Sequence, residues 1–266
     1  MPSTTIPTSF LDAMALADPS WHAILQTGLE AVADADPAYL PELASNHYLP
    51  TGQRLFAAFA LPLDAVAYIL VGEGPYPRAE SATGFCFMDG AVGAVWSENG
   101  LSKPVNRATS LRNFMKMLLV ADGQLSVLNT TGAALAALAP NVRSNGAIQT
   151  LSDLQKNLTR HGFLLLNAAL VFRSHVAPAQ DARAWLPFLQ AVLAGLAART
   201  NQTGRATQTP TPTLVLWGKI AEQIKRLAVT QYFPQILSEH PYNLSFIGNP
   251  VMQALFGPMH LLRAHP

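Results

Sequence analysis

The chain has 266 residues, half of them hydrophobic and 12% charged, with a formal net charge of +1. That length suffices for one large α/β domain with a sizeable core, and that composition excludes a disordered chain. The near-neutral charge excludes a strongly basic nucleic-acid binder, so any DNA contact has to come from a local patch or from backbone amides.

The single cysteine, Cys86, excludes an intramolecular disulfide. The Pro/Thr/Ser-rich start carries no signal pattern, and no run of about 18 apolar residues follows. A soluble, intracellular protein with no membrane span is expected.

Residues 1–18 read as a flexible N-terminal arm, and residues 19–266 as one domain. Trp21–Asp36 has apolar residues at helical spacing, with Ser20 placed as an N-cap. Arg54–Phe59 reads as a short helix. Ala65–Val71 is an apolar run that stops at Gly72, with Gly74, Pro75 and Pro77 behind it, the pattern of a buried strand emptying into a turn. Ser110–Val120 and Leu151–Thr159 read as helices, Phe163–Val171 as a second strand, and Ala184–Ala198 as a long helix. Asn201–Pro212 reads as a loop, Thr213–Trp217 as a third strand, and Ile220–Ala228 as a helix. Pro234–Leu237 is a short fourth strand and Val251–Arg263 the last helix. Continuous apolar strands alternating with helices predict an α/β fold: a central, mostly parallel four-stranded sheet covered on both faces. Ligands of such sheets bind beyond the carboxyl ends of the strands.

Three segments at those ends carry unusual residues: Val71-Gly72-Glu73-Gly74-Pro75-Tyr76-Pro77-Arg78, Leu164-Leu165-Leu166-Asn167, and His240-Pro241-Tyr242-Asn243-Leu244-Ser245. The Gly72-Glu73-Gly74 step is not a dinucleotide fingerprint, because the third glycine would fall at Pro77. His22, His47, His161, His175, His260 and His265 show no ligand spacing, so neither a metal nor a cofactor is expected.

Taken together, these segments resemble the family-1 uracil-DNA glycosylases. That family has Gly-Gln-Asp-Pro-Tyr-His followed by Gly-Leu-x-Phe-Ser, where this chain has Gly72 to Pro77 and Gly84 to Met88. Trp21-His22-x-x-Leu25, Ser110-Leu111-x-Asn113, Leu164–Asn167, Leu216-Trp217-Gly218 and His240-Pro241-x-x-Leu244-Ser245 match further family motifs in order, over about residues 20–262. The resemblance implies a three-layer α/β/α fold that takes a base flipped out of DNA. It implies Phe87 stacking on the base, Asn167 reading its edge, and Tyr76 crowding the pyrimidine 5-position. His240 would stabilise charge on the departing base, and Leu244 would wedge into the vacated gap. Ser110, Gly218, Lys219, Pro241 and Tyr242 would contact the DNA backbone. Arg78 and Arg107 are further basic candidates.

The departures concern water activation. Gly74 stands where the family has its water-positioning aspartate, and has no side chain to replace it. Glu73 stands one residue earlier, where the family has glutamine, and reaches the site only if the turn is rearranged. Pro77 replaces a histidine, Ala108 and Thr109 replace two prolines, and Tyr242 and Asn243 replace serine and proline. Asp64, Asp89 and Asp181 are other carboxylates that no motif places. Two readings follow. One is a glycosylase that hydrolyses the N-glycosidic bond of uracil or a modified pyrimidine, in single- or double-stranded DNA, with His240 and Glu73 as catalytic residues and altered water activation. The other is a catalytically inactive glycosylase-fold protein that binds DNA or serves as a scaffold.

Overall fold

A computed structural model of the chain describes residues 6–144, 146–200 and 210–265. Most of the expected Asn201–Pro212 loop lies outside the described residues. In chain order the helices are α1 (Thr8–Met14), α2 (His22–Ala35), α3 (Tyr39–Ala44), α4 (Lys103–Arg107), α5 (Thr109–Ala121), α6 (Gly132–Ser144), α7 (Leu151–Arg160), α8 (Pro178–Ala184), α9 (Leu186–Thr200), α10 (Lys219–Lys225) and α11 (Pro250–Phe256). The strands are β1 (Tyr68–Gly72), β2 (Trp96–Ser97), β3 (Gly100–Leu101), β4 (Phe163–Asn167), β5 (Thr213–Trp217) and β6 (Gln235–Ser238).

The central sheet has four strands in the order β4-β1-β5-β6, and β2 and β3 form a separate small antiparallel pair. β1 runs parallel to both β4 and β5, with Gly72 opposite Asn167 and Leu70 opposite Val215. Leu214 N–H donates to Pro234 C=O and Gly218 N–H to Ser238 C=O, bonds that advance in step as in a parallel pair. All five residues of β4 are buried, which is why the strand is an unbroken Phe-Leu-Leu-Leu-Asn run rather than an alternating one.

Several expectations are corrected. Where a loose arm was expected, Thr8–Met14 form α1, and Phe10 is fully buried with its ring stacked on Tyr48 at 6.3 Å. Burying that ring and Ala13 gives a short segment enough apolar contact to order it. Ser20 does not cap α2: the N-cap residue of that helix is Trp21, with no side-chain cap, and Ser20 lies in the 3₁₀ turn Pro19–Trp21, which Asp18 caps by accepting the Ser20 N–H. The second strand ends at Asn167, not Val171. The stretch Ala184–Ala198 is two helices meeting at Trp185, the C-cap residue of α8. The last helix stops at Phe256 and passes into the 3₁₀ turn Gly257–Met259, where Pro258 has no N–H to continue the helical bonds; His260 then ends that turn in the left-handed region (φ 47°).

The chain divides into two compact units. One comprises Met1–Phe87, Gly162–Val215 and Glu222–Gln235. Its core gathers aromatic rings: Trp21 on Phe59 at 5.0 Å, Phe56 on Phe188 at 5.8 Å, and Trp185 on Phe188 at 5.3 Å. Asp181 belongs to this interior. It accepts from Arg173 at 2.7 Å and from the Tyr39 hydroxyl at 2.7 Å, and its hydrogen bond is the main reason the Arg173 pKa lies above its usual value. A buried carboxylate so engaged is structural.

The other unit comprises Met88–His161, Leu216–Ala221 and Ile236–Pro266. Here α5 buries Leu111, Phe114, Met115, Leu118 and Leu119, the apolar face expected from their spacing. Phe114 meets Trp217 at 5.6 Å and Phe256 at 5.1 Å. Thr150 and Asp153 form a capping box that starts α7. No described helix is long and apolar enough to cross a membrane.

Candidate active site

In the first unit the β1–β4 ladder does not stop at the strand ends. Ala168 N–H donates to Gly72 C=O at 2.8 Å and Ala169 N–H to Glu73 C=O at 3.0 Å. These bonds hold the Gly72–Gly74 turn beside the end of β4. A Cβ on Gly72 would lie 2.8 Å from Cys86 Cβ and 2.9 Å from Asn167 Oδ1, so only glycine admits that approach. A Cβ on Gly74 would meet Ala169 C=O and Ala169 Cβ at 3.6 and 3.7 Å, ordinary contact distances. Glu73 is exposed.

Asn167 is 3% exposed, and its Oδ1 has no hydrogen-bond partner among the described residues. A buried amide oxygen left unpaired costs about 1–3 kcal/mol. Cys86 N–H donates to Leu165 C=O at 3.1 Å, which lays the Phe85–Phe87 segment along β4. The Cys86 thiol donates to Leu70 C=O, and burial pushes its pKa well above the ordinary thiol range, so it is not a nucleophile. Phe87 adopts a left-handed backbone (φ 64°). For a bulky residue this costs on the order of 1–3 kcal/mol, and such strain gathers at functional sites. The Tyr76 hydroxyl donates to Phe87 C=O at 3.4 Å. This unit therefore brings Gly72, Glu73, Gly74, Tyr76, Phe87 and Asn167 together.

The second unit carries the other group. Gly218 has φ 63°, and a Cβ there would lie 2.8 Å from His240 Cβ. Gly218→Ala should therefore strain both the backbone and the approach of His240, lowering unfolding free energy by about 1–3 kcal/mol. Denaturant unfolding checks this, and an unchanged midpoint would contradict it.

His240 C=O accepts from Asn243 N–H at 2.9 Å, which closes a turn. Tyr242 N–H donates to His240 Nδ1 at 3.1 Å. That bond needs a lone pair on Nδ1, so the neutral ring carries its proton on Nε2. Pro241 is buried beneath the loop, whereas Tyr242 and Leu244 are 67% and 71% exposed.

Asn113 holds this loop, a role the sequence reading did not assign. Its Nδ2 donates to the carbonyls of Pro241, Tyr242 and Asn243 at 2.8, 3.2 and 3.4 Å. The signal was present: an asparagine on the apolar face of α5, fully buried. Glu239 accepts from Asn249 Nδ2 at 2.8 Å, and Asn249 caps α11, so the two ends of the loop are also tied. Ser110, half-buried, sits in the first turn of α5, whose N-cap residue Ala108 supplies no side-chain cap. The amides of that turn lack a side-chain acceptor, the usual setting for an anion. Lys219 is exposed at the start of α10, and Arg107 is exposed. Among the described residues, no three His, Cys, Asp or Glu side chains gather as a metal site.

The first unit thus carries a mostly parallel α/β sheet with an unpaired amide oxygen at one strand end, and the second a hydrogen-bonded histidine loop. Comparison with known proteins makes this specific. The chain is similar to the wild-type UNG structure from Nitratifractor salsuginis: 39% identity, 100% of this chain and 99% of that one, TM-score 0.86. It is 27% identical over 232 residues to a uracil-DNA glycosylase of Mycobacterium sp. (strain KMS), 86% of this chain and 83% of that protein. A mimivirus uracil-DNA glycosylase structure, at 16% identity and TM-score 0.51 over 88% of this chain and 73% of that one, shares the fold. No family model matches the chain. The chain belongs to the uracil-DNA glycosylase superfamily.

Proposed function

We propose that this protein is a DNA glycosylase that excises uracil, or a modified pyrimidine of similar edge, from DNA, and that it activates water without a carboxylate at position 74. The observation that carries the reading is the buried, unpartnered Oδ1 of Asn167, which a pyrimidine ring N–H would satisfy. Phe87 stacks on the base and Tyr76 crowds its 5-position. As the C1′–N bond breaks, its electron pair passes to the base, and His240 Nε2–H donates to the base oxygen where charge accumulates. A water oxygen then bonds to C1′ and releases its proton to solvent or to the exposed Glu73 carboxylate. Leu244 fills the gap left by the base. The Ser110 hydroxyl, Lys219 and the exposed Tyr242 side chain hold flanking phosphates, while Gly218, whose N–H is taken by Ser238 C=O, and the buried Pro241 shape the backbone that presents them.

Gly74 favours a second reading, a DNA-binding protein that has lost catalysis, because nothing at that position can orient water or offset positive charge on the sugar. The test uses an oligonucleotide with one uracil, treated with hot alkali after incubation, beside cytosine and thymine controls. Cleavage at uracil by the native protein is expected, with Glu73→Gln slowed by about 10²-fold if Glu73 takes the proton. No cleavage by the native protein would favour the inactive reading, and full activity in Glu73→Gln would remove Glu73 from the mechanism.

A further inference from the structure

The loop after α5 presents an apolar side chain that folding does not explain. Leu128 is 93% exposed, and Val127 beside it is 50% exposed. The turn that carries them is stiff. Asn129 N–H donates to Ser126 C=O at 3.0 Å, Leu128 N–H to Ser126 Oγ at 3.2 Å, and Thr131 Oγ1 to Asn129 Oδ1 at 2.8 Å. Gln124 and Leu125 N–H both return to Leu119 C=O near the end of α5, and Leu125 is buried as an anchor. The backbone of this tip is thus already ordered, so covering Leu128 has only side-chain rotamer freedom to remove.

Its position gives that exposure a direction. A Cβ on Gly248 would lie 3.2 Å from Val127 Cγ2. The turn therefore packs against the end of the 3₁₀ helix Leu244–Gly248, whose first residue is Leu244. Four residues of 3₁₀ rise span only about 8 Å. The Leu128 tip thus stands on the same support as Leu244, and all of these residues belong to one compact unit. Residues 123–131 contain no charged side chain, and Asp122, just before them, is turned to His260 Nδ1 at 3.0 Å. A tip of leucine and valine among Ser, Asn and Thr neither repels phosphates nor seeks them. Its chemistry suits sugars and base edges in a groove.

We propose that the Ser126–Asn129 turn is a second DNA-contacting tip, with Leu128 pressed into the groove of the duplex that flanks the flipped nucleotide. The proposal rests on the reading of Leu244 as the wedge. It makes duplex binding, unlike single-strand binding, depend on Leu128, because a single strand has no groove to receive the second tip.

The test is binding, so its answer does not depend on turnover. Fluorescence anisotropy gives Kd for uracil-containing duplex and single-stranded oligonucleotides with the native protein, Leu128→Ala, Leu128→Asp and Leu244→Ala. Leu128→Ala should weaken duplex binding by about 5–10-fold, the loss of part of one buried leucine's transfer free energy, and Leu128→Asp by more. Single-strand binding should stay within about twofold. An exposed tip carries little folding energy, so unchanged thermal unfolding excludes a trivial loss. Native-like duplex affinity in both Leu128 variants, with Leu244→Ala weakened, overturns this proposal alone. Native-like affinity in all three overturns the wedge reading with it. If Leu128→Asp alters only self-association in sedimentation, the tip is a protein contact and the proposal is likewise overturned.

Discussion

His240→Ala should lower kcat on uracil-containing DNA by about 10²–10³-fold while leaving KM and thermal unfolding nearly unchanged. The magnitude is that of removing one preorganised donor aimed at charge that develops during bond breaking. It falls on kcat because the base oxygen is neutral in the ground state and becomes an acceptor of charge only as the C1′–N bond lengthens. The fold should survive because His240 is exposed, and the loop around it is held by Asn113 Nδ2 on three backbone carbonyls rather than by the imidazole. The ring does accept the Tyr242 N–H at 3.1 Å. His240→Asn, which can keep an acceptor near that amide, separates loss of loop order from loss of the donor. Single-turnover kinetics across the three proteins decide the matter. A change confined to KM would mean that His240 only helps to bind DNA.

Gly74→Asp should raise the single-turnover rate by about 10²–10⁴-fold, the usual contribution of a positioned general base. The geometry permits the gain. Position 74 lies outside the left-handed backbone region, and an added Cβ meets only Ala169 at 3.6 and 3.7 Å. The turn is already fixed by Ala169 N–H on Glu73 C=O, so a carboxylate placed there would not have to order its own backbone. Gly74→Ala is the control that adds bulk without charge, and Gly74→Asn adds polarity without a base. Should Asp fail to exceed Asn, the native protein already handles its water by another group, and Glu73 becomes the carboxylate to pursue.

Much of the sheet was legible because its strands are buried on both faces. Thr213–Trp217 and the core of Phe163–Asn167 read as strands since nothing polar interrupts them, and β1 was placed by the glycines that end it. The helices that escaped are short or carry breakers. α3 contains Pro41 near its start, and α6 has Pro140 inside it. α1 owes its order to tertiary burial of Phe10, which local periodicity does not encode. The arm boundary at residue 18 was misplaced for the same reason. At the candidate site, Tyr76, Phe87, Asn167 and His240 were assigned because family motifs carry them. Asn113 acts through long-range bonds to a loop about 130 residues away, and no local pattern encodes that. The left-handed Phe87 was equally invisible, since nothing in Phe85-Cys86-Phe87 marks a strained backbone. Leu128 lay in a stretch with no period at all.

The ladder that continues from β1 into the Gly72–Gly74 turn also bears on heredity. Residue 74 is backed by Ala169 alone, beyond the last core residue of its strand, so its identity can drift with little penalty to folding. A lineage could lose or regain a carboxylate there by single substitutions while the scaffold persisted, and selection would see the change only through chemistry.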